Sequence, residues 1–178
     1  MGYTTTFEGD IEIVPALNAQ EIEFLTKFAG TRRMMCKQGP YYVDRGGMAG
    51  QDRGPDIIDY NTPPEGQPGL WCQWIPNEDG TALVWDENEK FYEAEHWMAY
   101  LIEHFLGRHP LAKPELSFLQ GHVLNGTIYA YGEESDDRWM LIVRDNAVYV
   151  QPLFLSISPD HPEKLVGGEI IPALGNKT

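Results

Sequence analysis

The chain has 178 residues, 42% of them hydrophobic and 12% aromatic, enough for a folded domain with a core, which excludes a disordered polymer. Its 27 Asp plus Glu against 13 Lys plus Arg leave a net charge of −14. That excludes direct binding to nucleic-acid phosphates, which needs a positive surface.

Cys36 and Cys72 are the only cysteines, too few for a disulfide framework or a four-cysteine zinc site. Cys72 stands in an apolar run and reads as a buried small hydrophobe. No apolar stretch is long enough to span a bilayer. Residues 1–10 lack the basic start and apolar run of a secretion signal. The expectation is a reducing, cytoplasmic setting with no membrane contact.

In chain order, Tyr3, Thr5, Phe7, Ile11 and Ile13 alternate with Thr4, Thr6, Glu8, Asp10 and Glu12. Period two with one polar face predicts a half-exposed strand ending at Pro15, with Gly9 marking a bulge or a close approach. Asn18 with Glu21 three residues on predicts a capping box. Ile22, Leu25, Phe28 and Ala29 then recur at helical spacing up to Gly30.

From residue 37 to 69 the sequence is punctuated by Gly and Pro and shows no reliable period. Tyr41, Tyr42 and Val43 suggest a short strand and residues 56–60 a single turn. A connection of that length points to a functional segment, and its aromatics with Ile57 and Ile58 predict an ordered flap over the sheet. Residues 70–75 and 82–85 read as a β-hairpin closed by Asp79-Gly80.

Asp86 with Glu89 predicts a second capping box. Phe91, Ala94, Trp97, Met98, Leu101, Ile102 and Phe105 form the apolar stripe of a helix stopping at Gly107. His96 and His104 lie two turns apart on its wetter side, too far for one metal, and read as a solvated pair. After a Pro-interrupted connector, residues 122–131, 139–143 and 147–151 predict an antiparallel meander, with a tight turn at Asp145-Asn146. The order strand, helix, hairpin, helix, strand predicts an α+β fold: a mainly antiparallel sheet with two helices on one face, βαββαβ-like, with a C-terminal β-hairpin extension. One domain is expected over 1–178, with 37–69 a long ordered loop and 157–178 a surface tail.

Four groups of residues could carry function. Arg32 and Arg33, in a chain poor in cations, would hold an anion beside the loop, or would be surface arginines paired with local acids. Asp52, Asp56 and Asp59 are hard oxygen ligands suited to Mg²⁺ or Ca²⁺, or to acid/base work, with Arg53 as a nearby electrophile. Their spacing does not match a calcium loop, and Asp at such places equally serves local turns. Trp71 and Gln73 share one side of their run. On a groove they would stack a planar ring and bond its edge; in the core they would be ordinary packing. Glu133, Glu134, Asp136 and Asp137 make an acidic turn that could mimic a phosphate track, bind a cation, or simply be solvated. No phosphate-binding Gly-Lys-Ser/Thr loop, Gly-x-Ser-x-Gly elbow or His-Glu-x-x-His helix occurs, so no catalytic residue, metal site or cofactor is assigned.

The segments MGYTTTFEGDIEIVPAL, GQDRGPDIIDYNTPPEGQPGLWCQWIPNEDGT and HVLNGTIYAYGEESDDRWMLIVRDNAVYV resemble a family of small acidic proteins from bacteriophages and bacteria. The resemblance covers most of the chain apart from residues 108–120 and the tail. It implies a phage or bacterial origin and carries no catalytic residues. With the charge, it points to a non-catalytic accessory protein that engages a host or phage protein bearing a basic surface. The alternative is a small protein that binds or processes a nucleotide-like molecule through the Asp52, Asp56 and Asp59 loop.

Overall fold

The computed structural model describes residues 2–43, 54–158 and 161–173. In chain order the strands are β1 (Thr6–Val14), β2 (Met35–Cys36), β3 (Ile57–Asp59), β4 (Trp74–Pro76), β5 (Ala82–Trp85), β6 (Val123–Tyr131), β7 (Arg138–Arg144), β8 (Ala147–Ser158), β9 (His161–Gly167) and β10 (Ile171–Pro172). Helix α1 (Ala19–Ala29) follows β1, and α2 (Ala94–Leu101) follows β5 and continues as a π-helix over Ile102–Leu106.

Eight strands form one antiparallel sheet in the order β10-β8-β7-β6-β1-β5-β4, with β9 paired to β8. Strand β1 is central: Phe7 faces Ala130 and Ile13 faces Leu124 on β6, while Ile11 faces Leu83 on β5. Two helix-linked strand pairs thus interleave, β4 beside β5 and β6 beside β1, as the βαββαβ order requires. Strands β7, β8, β9 and β10 extend the sheet beyond β6, and β2 with β3 forms a separate two-stranded sheet. The protein is α+β with two helices and a mainly antiparallel sheet.

Alternation in β1 sorts its side chains. Phe7, Ile11 and Ile13 are buried under the helices, and Glu8, Asp10 and Glu12 are exposed on the other face. Gly9 sits at φ +116°, and a β-carbon there would stand 2.6 Å from the Thr127 carbonyl oxygen, so only glycine allows this approach of β1 to β6. Phe24, Leu25 and Phe28 of α1 join Trp97, Met98, Leu101 and Phe105 in one hydrophobic cluster with the inward strand residues. Phe7 meets Trp74, Trp85, Phe91 and Trp139 edge-on at 5.2–5.9 Å, the separation at which aromatic quadrupoles attract.

The predicted capping box of α1 is present in both directions, between Asn18 and Glu21. The second helix differs from expectation. It begins at Ala94 behind Glu93, whose side chain makes no cap bond, while Asp86 accepts from Asn88 in a turn of its own. Burial of Phe91 against Phe7 and Trp74 anchors the preceding chain in a non-helical path, with Glu87, Lys90 and Glu93 all at positive φ. Tertiary packing there overrides a valid local start signal. In the first hairpin, β4 begins at Trp74; before it, the Gln73 carbonyl accepts from the Asp86 N–H and the Leu70 carbonyl from the Arg33 N–H. Gly80 takes the positive φ of the turn, +71°.

The middle segment also differs in detail. Tyr41, Tyr42 and Val43 form no strand; Met35–Cys36 pairs instead with Ile57–Asp59, which is a strand and no helical turn. In the meander, Asn125-Gly126 does not split β6, and Asp145 and Asn146 both take positive φ in the turn to β7's partner β8. Residues of the expected C-terminal tail form β9 and β10 along successive halves of β8.

Candidate functional site

Two arginines were expected at the surface or on an anion. Arg33 is 2% exposed, and its guanidinium lies over the Phe28 ring at 4.1 Å. It donates to the Pro40 and Tyr42 carbonyls at 2.8 and 2.9 Å and to Gln67 Oε1 at 3.4 Å. Burial pushes its pKa down to about 10, so it remains a cation at neutral pH. Among the described residues no carboxylate pairs with it, and its Nη1 has no hydrogen-bond partner. Arg32 donates to the Tyr60 carbonyl and to Asn61 Oδ1. Both arginines therefore hold the two ends of the middle segment against the fold, because a guanidinium fork can reach several carbonyls that no local strand satisfies.

Gln67 completes this arrangement. It is buried and donates to the Pro40 carbonyl and the Tyr100 hydroxyl. Tyr100 in turn stacks on His104 at 4.0 Å, and His104 Nδ1 is bonded to the Tyr41 hydroxyl at 2.8 Å. His104 is thus not the solvated partner of His96. It is largely buried, and burial holds its pKa below the ordinary histidine range.

Asp52 and Arg53 lie outside the described residues. The Asp56 carboxylate accepts from Gln38 Nε2 at 2.9 Å. The Asp59 carboxylate accepts from the Asn61 N–H and the Thr62 hydroxyl, which hold its pKa below the usual carboxylate range. Asp59 takes the turn-forming role open to aspartate in such a sequence, while Asp56 ties the segment to Gln38, 18 positions earlier. The group of metal-ligating side chains found among the described residues is Glu93, Glu95 and His96, with ligand atoms within 4.8 Å of one another. His96 Nδ1 already sits 2.6 Å from Glu93, and no spacing pattern along the chain singles the trio out.

Trp71 and Gln73 part company. Trp71 lines a cleft of about 840 Å³ together with Gly69, Leu70, Asp86, Glu89 and Tyr92. Gln73 lines it too, but its amide is occupied: Nε2 donates to the Glu89 carbonyl and Oε1 accepts from the Trp85 indole. One amide N–H and one oxygen lone pair remain beyond those two bonds. Cys72 is buried beneath, and burial pushes its thiol up to about 12, which removes it as a nucleophile.

The acidic turn joins the start of the chain. Glu133 accepts from the Thr4 N–H, and Asp137 accepts from the Tyr3 hydroxyl, while Glu134 and Asp136 are exposed. From there Glu8, Asp10 and Glu12 run along the bare face of β1, opposite Tyr129, Thr127 and Asn125 of β6. Those cross-strand neighbours are neutral, and among the described residues no cation pairs with the three acids. Alternate positions on a strand place the carboxylates about 7 Å apart. The alternation of β1 is legible in the sequence, but Glu8, Asp10 and Glu12 are not among the acids singled out there, which are Asp52, Asp56, Asp59 and the turn at Glu133–Asp137.

No helix among the described residues is long and apolar enough to cross a membrane. No family model matches the chain, and no curated protein and no solved structure resembles it significantly.

Proposed function

We propose that the protein is a non-catalytic binding module, a phage-type accessory factor acting in the host cytoplasm, that presents its acidic sheet face to a basic surface of a host or phage protein. The observation that carries this reading is the row Glu8, Asp10 and Glu12 on the uncovered face of the central strand, uncompensated across β6 and continuous with the turn at Glu133–Asp137. Carboxylates held in a row on a rigid strand make a directional negative field, which steers a positive partner and fixes its register. The chain's −14 charge adds to that field. The rival reading, metal-dependent nucleotide processing, has Asp56 already bonded to Gln38 and Asp59 to its own turn.

The test is capture from a bacterial lysate with identification of what is retained. The wild-type chain is expected to hold a basic protein at low salt and to release it near an ionic strength of about 0.5 M, where charges are screened within a few ångström. The combined variant Glu8→Lys, Asp10→Lys and Glu12→Lys, exposed positions on a paired strand, is expected to keep its fold and lose that protein. Equal retention by the variant, or a partner that salt does not release, overturns the reading.

A further inference from the structure

The end of the sheet formed by β8, β9 and β10 carries apolar side chains past the cover of the helices. Residues opposite one another in an antiparallel pair share a face. Trp139 stands opposite Pro152 and Leu141 opposite Val150, and Trp139 meets Phe7 in the core. Val150, Pro152 and Phe154 therefore look to the helix side. Val166 opposite Phe154 and Ile171 opposite Val150 look the same way. There Phe154 is 58% exposed, Val166 43% and Ile171 53%. A β-carbon at Gly168 would stand 2.7 Å from Phe154 Cε2 and 3.2 Å from Pro152 Cγ. The glycine thus lets these two side chains close over the chain between Val166 and Ile171, which joins the residues into one strip.

Charge and area decide what covers it. The strip is made of Val150, Pro152, Phe154, Val166 and Ile171, none of them charged, in a chain of net charge −14. A basic partner is drawn to carboxylates and finds none in the strip. Two copies of an acidic chain repel each other and meet at least cost where both are uncharged. An apolar strip is also self-complementary about a two-fold axis. It exposes roughly 300 Å² of apolar surface. Two copies would bury about 600 Å², close to the roughly 700 Å² apolar share of a small stable interface. The opposite edge of the sheet offers no such strip, because β4 has three residues and buries Trp74 and Pro76.

We infer that a second copy of this chain docks on the strip of Phe154, Val166 and Ile171, making a two-fold dimer at the β8–β10 end of the sheet. The contact is side chain on side chain. Strand β9 contains Pro162 and Lys164, residue types that block strand addition at an edge, so the two sheets do not join into one. The dimer does not depend on the acidic face of β1, and salt separates the two. Screening weakens a charge-matched partner, while it strengthens the association of two like-charged copies.

The test is sedimentation equilibrium of the purified chain up to about 500 µM, within reach of a weak dimer, in about 50 mM and about 500 mM sodium chloride. The mass is expected to rise toward twice that of the monomer, and to do so at lower protein concentration in the higher salt. Phe154→Glu places a carboxylate in the strip of each copy and is expected to weaken the dimer at least tenfold while its urea transition stays cooperative. Val14→Ser is the control: Val14 is 53% exposed, but it stands on β1, three strands from β8. It is expected to leave the dimer unchanged. A mass that stays monomeric throughout, a dimer that salt dissolves, undiminished association of Phe154→Glu, or equal loss in Val14→Ser overturns the inference. So does a lysate protein that binds the strip of a chain which stays monomeric. Should Phe154→Glu fail to fold, undiminished association of Ile171→Glu, at an exposed position on a two-residue strand, overturns it instead.

Discussion

Two buried polar centres sit in the same protein and are built in opposite ways. At the first, Glu21 and His122 are both buried, and every oxygen and nitrogen has its partner. Glu21 accepts from His122 Nε2 at 3.1 Å, from the Gln120 N–H at 2.6 Å and from the Asn18 N–H at 2.9 Å, and His122 Nδ1 donates to the Pro15 carbonyl at 2.7 Å. At the second, Arg33 is held among the described residues by neutral oxygens only, and there its Nη1 and the Trp97 Nε1 go without. The first centre closes the beginning of α1 onto the chain that leads into β6, and it leaves nothing for a ligand to do. The second ties down the middle segment and retains unspent donors. The first network is fully satisfied, while the second holds its segment with two buried donors left over, so its bonds are the more exposed to loss by mutation.

The largest expected effect separates the two by removal of the cation. Arg33→Met strips the Pro40 and Tyr42 carbonyls and Gln67 of their donor, and is expected to cost about 3 kcal/mol in urea unfolding, given roughly 1.5–3 kcal/mol per bond to a charged group less the desolvation relieved. Limited proteolysis should then cut within residues 37–69 first. Arg33→Met that is as stable and as resistant as wild type would mean that the guanidinium does not hold the segment.

The Glu21–His122 pair is expected to show its weight through pH. Burial opposes charging of both groups, but His122, Asn18 and Gln120 hold the Glu21 pKa below its ordinary 4.5. Glu21 and the Pro15 carbonyl, against burial, hold His122 above its ordinary 6.5. The glutamate contribution is present above about 4.5 and is lost as pH falls through the lowered folded value. The histidine contribution is complete below about 6.5 and is lost as pH rises through the raised folded value. The stability gap between wild type and Glu21→Gln should therefore be widest between those two values, about 2–3 kcal/mol there, and should narrow on both sides. A gap that is flat from pH 4 to pH 8 would show that the pair is not charged in the folded protein.

The smallest effect sharpens the contrast at the level of one hydrogen bond. Trp74 and Trp97 are both buried indoles, but only Trp74 has an acceptor for its N–H. Replacement by Phe should cost about 1 kcal/mol more at Trp74 than at Trp97, because only the Trp74 indole gives up a hydrogen bond made among the described residues. Equal thermal losses for Trp74→Phe and Trp97→Phe would remove the distinction between satisfied and unsatisfied indoles.

Local chemistry made much of the fold legible. The alternation of β1, the Asn18–Glu21 box, Gly80 in its turn and the Asp145-Asn146 hairpin are all written within a few residues of where they act. The site was less legible. Arg33 looks like any basic residue after a helix until the Pro40 and Tyr42 carbonyls are brought to it. Gln73 looks wholly free to read a ligand until the Glu89 carbonyl and the Trp85 indole each take one bond of its amide. Asp86 carries a correct capping signal that the buried Phe91 overrules.

By itself the sequence determined an acidic α+β chain with its strand faces, its first helix start and its turns, because those depend on short-range periodicity and on backbone angles. Tertiary structure alone decided that Glu21 meets His122 across 101 positions, that Arg33 is interior, and that Gln67 reaches Tyr100. The physical reason is that a buried polar atom must find its partner wherever the packed chain happens to place one, and no local pattern encodes that distance.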